Sequence, residues 1–134
     1  MNKQMVRSVL SLVLALVCFT ASSVAADEPV PCADSVFGSA SAFLASNKLA
    51  VFDCVAYDIY DRIAITLVWL EQDINGQWIY VKTLPPPTYV AVNMPAYGAE
   101  VSYSSYIGSG TFRIGFTVNA DGYSISRYSN SRTF

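Results

Sequence analysis

The alternation of apolar and polar residues between Gly110 and Ala120 is the clearest pattern in this chain. The apolar set is Phe112, Ile114, Phe116 and Val118, and the residues between them are Thr111, Arg113, Gly115, Thr117 and Asn119. Successive side chains of a β-strand point to opposite faces, so this alternation predicts a strand with one buried face and one face in water.

Two dipeptides predict tight turns. Asn75-Gly76 and Asp121-Gly122 each lie between apolar-rich segments. Their residues tolerate positive φ, which the two-residue turns of β-hairpins require. A two-residue loop at the second turn pairs Val118 with Ile125 and Phe116 with Arg127.

The whole domain divides into short strands separated by turn residues, as in an antiparallel sandwich. Pro85-Pro86-Pro87 offers no N–H group to a ladder and predicts a linker that crosses between two sheets. The fold class is therefore all-β, an antiparallel β-sandwich of seven or eight strands. The predicted strands are Ser39–Leu44, Ala50–Tyr57, Ile63–Gln72, Trp78–Leu84, Thr88–Asn93, Val101–Tyr106, Gly110–Ala120 and Tyr123–Arg132.

The first hairpin poses a question about binding. A two-residue loop at Asn75-Gly76 places five side chains on one face of the sheet, where indole and phenol rings alternate with charged groups. Such a face suits a carbohydrate or a peptide, but the same rings could instead pack beneath loops or a neighbouring strand. The opposite face, with Val68, Leu70, Ile79 and Val81, is expected to be core. The candidate ligand-binding residues are Trp69, Glu71, Trp78, Tyr80 and Lys82.

The N-terminal 26 residues predict a cleaved signal peptide. Lys3 and Arg7 precede the apolar run Val9–Thr20, and small residues at Ser23–Ala26 suit cleavage after Ala26 or Ala25. A retained anchor needs about 20 apolar residues, and a lipoprotein at Cys18 would need small residues before the cysteine. The sequence thus predicts residues 1–26 as signal and residues 27–134 as a secreted extracellular domain.

Charge limits the partners of that domain. The chain has 8 basic and 10 acidic residues, and removal of Lys3 and Arg7 leaves 6 − 10 = −4. A mildly acidic domain does not attract phosphate backbones or anionic lipid, so neither nucleic acid nor a membrane is expected as its partner. The ligand, the oligomeric state and the biological process stay open.

Two cysteines remain after signal cleavage, Cys32 and Cys54. In an oxidising compartment such a pair predicts a disulfide bond. A reactive thiol pair would require closer spacing than these residues have.

The composition argues against catalysis. The chain contains no histidine, which excludes Ser-His and Cys-His nucleophile schemes and histidine-based zinc sites. A calcium site at Asp53, Asp58 and Asp61 lacks the regular spacing of calcium loops. We therefore expect no enzyme activity, no cofactor and no metal site.

Several short motifs resemble small secreted proteins of unknown function from Gram-positive bacteria. They are Cys54, Tyr57 and Tyr60-Asp61 before Ile63–Leu70, then Asn75-Gly76-Gln77-Trp78, and finally Gly110-Thr111-Phe112-Arg113. The resemblance covers the chain from Cys54 to its end. It implies an exported, non-enzymatic, Ig-like β-sandwich and supplies no catalytic or binding residues.

Three functional hypotheses follow. The first is a secreted interaction or structural module that binds an extracellular glycan or protein through the face that carries Trp69, Trp78 and Tyr80. The alternative is a secreted effector, such as a small inhibitor or toxin-like protein, that presents the Tyr97–Gly108 loop. A carboxylate-based hydrolase is the third, in which Glu71 and another acid would line a cleft.

Overall fold

The structure, a computed structural model, describes residues 35–134, and these residues form antiparallel β-strands. The predicted signal peptide and Cys32 lie outside the described residues. Residues 35–134 include no helix that is long and apolar enough to span a membrane. The strands are β1 Phe37–Leu44, β2 Leu49–Ile74, β3 Gln77–Leu84, β4 Val90–Ser102, β5 Thr111–Ala120, β6 Tyr123–Tyr128 and β7 Arg132–Thr133.

The 26-residue strand β2 organises the sheet. Along one edge β2 pairs first with β1 and then with β5. Along the other edge it pairs with β4 and then with β3. β6 and β7 both continue the sheet from β5. One long strand thus supports four others, and its two halves belong to the same sheet.

This sheet curls upon itself, and it does not show the two closed layers of an Ig-like sandwich. Near the chain's end, the side chains of Asn130 and Arg132 contact Leu44, the last residue of β1. Asn130 accepts a hydrogen bond from the Leu44 N–H at 2.7 Å and donates one to the Leu44 carbonyl at 3.1 Å. Arg132 donates to the same carbonyl at 2.9 Å. The prediction of an all-β antiparallel domain is confirmed at this coarser level.

Ala50–Tyr57 and Ile63–Gln72 are not separate strands, because both belong to β2. Thr88–Asn93 overlaps the start of β4. The predicted strand Val101–Tyr106 is wrong, because β4 ends at Ser102 and residues 103–106 form a turn. The predicted strand bounds leave a loop at residues 58–62, between the two halves of β2. Instead, the Asp121 carboxylate accepts hydrogen bonds from the Asp61 and Arg62 N–H groups, both at 3.0 Å, and holds that segment extended.

The role predicted for the prolines is also wrong. β3 ends opposite Val68 and β4 starts opposite Ala64, so the two strands follow each other along one edge of β2. The segment between them therefore joins successive partners of the same strand and does not cross between sheets. Two buried tyrosines hold it: Tyr103 donates to the Pro85 carbonyl at 2.8 Å and Tyr97 to the Tyr89 carbonyl at 3.0 Å.

The two hairpins form as the sequence predicts. Asn75 and Gly76 have φ of 55° and 83°, and Asp121 and Gly122 have 49° and 94°. Val118 pairs with Ile125 and Phe116 with Arg127. The alternating apolar residues of β5 are all buried, and Phe116 meets Phe52 of β2 edge-on at 5.4 Å between ring centroids.

Cys54 is buried on the inner face of β2 and forms no disulfide within residues 35–134. Burial and the neighbouring Asp53 carboxylate raise the pKa of its thiol to about 12. The structure does not support the predicted disulfide, whose second residue Cys32 lies outside the described part of the chain.

Candidate binding face

The outer face of the β2–β3 hairpin carries four of the five predicted ligand-binding residues. Glu71 lies opposite Tyr80, and Asp73 lies opposite Trp78. Directly opposed residues of an antiparallel pair share a face, and Trp69 shares it with Glu71 because the two are separated by one residue. Trp69, Glu71, Trp78 and Tyr80 are thus grouped as predicted.

Lys82 is not part of this group. A bulge in β3 leaves Val81 without a partner, so Lys82 lies opposite Leu70 on the other face of the sheet. One extra residue reverses the faces of all residues beyond it. The predicted core face is also wrong in part, because Val68 and Leu70 are buried but Ile79 and Val81 remain exposed. β3 is an edge strand that extends past the core.

The Trp69 indole lies directly over Gly115 of β5. A Cβ atom at Gly115 would lie 2.1 Å from Trp69 Cε2 and 2.2 Å from Cζ2. The indole Nε1–H donates to Glu71 Oε2 at 2.7 Å. The Tyr128 ring of β6 meets the indole edge-on, with centroids 5.9 Å apart. Trp69 is therefore fixed by contacts on three strands and forms the base of the face.

A partly buried ion pair occupies the centre of the face. Arg113 of β5 donates to Glu71 Oε1 through Nε at 3.0 Å and through Nη2 at 2.8 Å. Burial raises the pKa of the Glu71 carboxyl, but the hydrogen bonds from Trp69 and Arg113 and the Arg113 charge outweigh it. The net result is a pKa below the ordinary value of 4.5, so Glu71 is ionised at neutral pH.

The Arg113 guanidinium also contacts two aromatic rings. Its Cζ atom lies 4.4 Å from the Trp78 ring centroid and 3.8 Å from that of Tyr128. Such cation–π contacts orient the planar group. The two bonds to Glu71 use two of the five guanidinium N–H groups that an arginine carries, which leaves three for other partners.

Sequence reasoning did not place Arg113 and Tyr128 at this site. Arg113 was correctly assigned to the polar face of β5, but its distance from Glu71 depends on the pairing of β5 with β2, across 42 residues. A small residue on that face, Gly115, was the signal that a large ring could lie over β5.

We define the aromatic face as Trp69, Glu71, Trp78, Tyr80, Arg113 and Tyr128. Its rings differ in accessibility: Tyr80 is 59% exposed and Tyr128 is 49% exposed, and Trp78 is partly buried. The exposed rings can stack on a flat apolar surface, and the free guanidinium N–H groups can bind oxygen atoms beside it.

Other predicted sites show no comparable arrangement. In the Tyr97–Gly108 segment the structure buries Tyr97, Tyr103 and Ile107, and Tyr106 is partly exposed. The Asp58 carboxylate accepts a hydrogen bond from the Ile59 N–H at 2.7 Å. Residues 35–134 contain no group of three histidine, cysteine or acidic residues that could hold a metal ion.

No protein-family model matches the chain, and searches of curated proteins and of solved structures gave no similar protein. The resemblance to small secreted proteins of Gram-positive bacteria stays a prediction.

Proposed function

We propose that this protein is an exported, non-enzymatic module that binds an extracellular glycan through the aromatic face. The proposal includes the signal peptide at residues 1–26. An Ig-like character of the domain and a Cys32–Cys54 disulfide remain predictions. The observation that carries the proposal is the placement of exposed Tyr80 and Tyr128 around the fixed Arg113–Glu71 pair.

The chemistry of this face suits a sugar ring. The apolar side of a pyranose can stack on an aromatic ring, and its hydroxyl groups need donors and acceptors at the edge of that ring. The rings supply the first requirement and the free N–H groups of Arg113 supply donors for the second. The ion pair already fixes the Arg113 guanidinium, and the indole hydrogen bond fixes Trp69. Binding therefore costs these two side chains little conformational entropy.

The state of Glu71 argues against hydrolysis at this face. A glycosidase needs one carboxylic acid with a raised pKa to protonate the leaving group. The pKa of Glu71 is lowered, and Arg113 neutralises its charge. Glu71 thus serves to orient Arg113.

A glycan array followed by titration of the best sugar tests the proposal. We expect the Tyr128→Ala and Trp78→Ala variants to lose about tenfold in affinity or more, as for aromatic residues at the centre of an interface. Tyr57→Ala is the matched control, because Tyr57 is 71% exposed and lies outside the aromatic face. Absence of glycan binding, or equal affinity in all variants, would contradict the proposal.

A further inference from the structure

The edge of β4 that faces away from β2 has no partner strand within residues 35–134. β4 pairs with β2 alone, and residues Ala96–Ser102 form a regular ladder with Leu49–Val55. An edge strand presents a row of N–H and C=O groups to which another extended chain can pair.

This edge lacks the usual protection against such pairing. Proteins commonly protect edges with lysine, proline or bulges. β3 carries Lys82 and the bulge at Val81. In β4, Pro95 and the positive φ of Asn93 lie before the regular segment, and Glu100 is the one charged residue of the strand. The segment from Ala96 to Val101 is accordingly open to strand addition.

A concave site lies on each side of this edge. On the inner side, a depression of about 280 Å³ separates the Pro86–Tyr89 segment from Ala99–Val101. On the outer side, a more open depression of about 460 Å³ lies along Val51–Asp53 and Gly98–Glu100. Since the side chains of an added strand would alternate between the two faces, each depression would receive every second side chain.

The outer depression has a distinct charge. Asp53 contributes a carboxylate to its wall alone, Glu100 lines both depressions, and among residues 35–134 no lysine or arginine lines either one. The outer depression therefore favours a cationic side chain, whereas the inner one, with its prolines and Tyr89, favours an apolar side chain.

We propose that β4 accepts an extended peptide segment of a partner protein as an added strand, with basic side chains towards Asp53 and Glu100 and apolar ones towards Tyr89. Charge selects this occupant. A second copy of this chain that paired through its own β4 would bring Glu100, the one charged residue of that strand. Residues 27–34, the segment before the described domain, contain three acids and no base. Either of these would place like charges together. This surface is separate from the aromatic face, and the proposal does not depend on glycan binding.

The test uses the full chain and a synthetic peptide, acetyl-Thr-Val-Lys-Val-Lys-Val-Thr-amide, with a fluorescent label. We expect saturable binding, with NMR shift changes and slowed amide exchange confined to Ala96–Val101 and its neighbours. The same peptide N-methylated at its valines and lysines cannot donate main-chain hydrogen bonds from its five central residues and should not bind. Glu100→Gln should weaken binding about twofold to fivefold, the value of an exposed ion pair, and Asp58→Asn should not.

Three outcomes would overturn the proposal. The first is absence of binding at millimolar peptide, and the second is equal binding of the N-methylated peptide. The third is a dimer in analytical ultracentrifugation that the peptide does not dissociate, because a second copy would then occupy the edge. Circular dichroism of both variants verifies that they are folded.

Discussion

Gly115→Ala is the substitution for which this structure makes the sharpest prediction. Gly115 is buried beneath Trp69, and its φ is not in the positive range. Its backbone therefore accepts alanine without strain. Any loss of stability must come from the collision of the new methyl group with the indole.

The size of the effect follows from the distances. Carbon atoms normally approach to about 3.5 Å, so a methyl group 2.1 Å from Trp69 Cε2 displaces the ring by about 1.4 Å. That shift breaks the 2.7 Å hydrogen bond from the indole to Glu71. Overpacking costs about 1–3 kcal/mol, and loss of a hydrogen bond to a charged group costs about 1.5–3 kcal/mol. Alanine recovers about 0.5–1 kcal/mol because it restricts the unfolded chain. We expect a net loss of about 3 kcal/mol in the free energy of unfolding.

Urea denaturation followed by circular dichroism measures this loss. The matched control is Gly98→Ala, since a Cβ atom there has its nearest neighbour, the Phe52 carbonyl oxygen, at 4.0 Å. In a Trp69→Leu background Gly115→Ala should cost nothing, because the ring that it strikes is absent. A loss below about 0.5 kcal/mol, or the same loss in both backgrounds, would refute the packing described here.

Three further predictions concern stability and reactivity. The pKa of Glu71 is lowered on folding, so its ionised form stabilises the protein above pH 4.5 and this contribution is lost as the pH falls through the folded-state pKa. Acid titration should therefore destabilise the wild type more than Glu71→Gln, and equal profiles would contradict the ion pair. Tyr103→Phe removes a partly buried hydrogen bond to the Pro85 carbonyl and should lower the free energy of unfolding, measured by urea denaturation, by about 1 kcal/mol. With the other cysteines replaced by serine, Cys54 should resist thiol reagents at pH 8 until urea is added, because burial raises its pKa to about 12; labelling of the folded protein would show that this thiol is accessible.

Local features of this fold could be predicted from the sequence, because their causes lie within a few residues. The turns at Asn75-Gly76 and Asp121-Gly122 need residues that tolerate positive φ, and both turns form. The register of the last hairpin follows from its loop length, and the alternation in β5 fixes which face is buried.

The candidate site could be predicted in part for the same reason. Trp69, Glu71, Trp78 and Tyr80 share a face through one tight hairpin. Lys82 lies on the other face because one extra residue, Val81, forms a bulge in β3. No residue pattern in β3 predicts this bulge. Arg113 and Tyr128 could not be assigned, because the pairing of β2 with β5 joins segments that are far apart in the chain.

The sequence by itself determined that the domain is built of antiparallel strands, where its sharpest turns lie and which residues of β5 face inward. These properties depend on backbone preferences and side-chain alternation, which act between near neighbours. Tertiary structure alone decided that β2 continues through its acidic middle, that the sheet curls until Asn130 and Arg132 contact Leu44, and that Gly115 leaves room for an indole. Each of these depends on contacts between distant segments, such as the Asp121 carboxylate with the Asp61 and Arg62 N–H groups, and no local pattern records them.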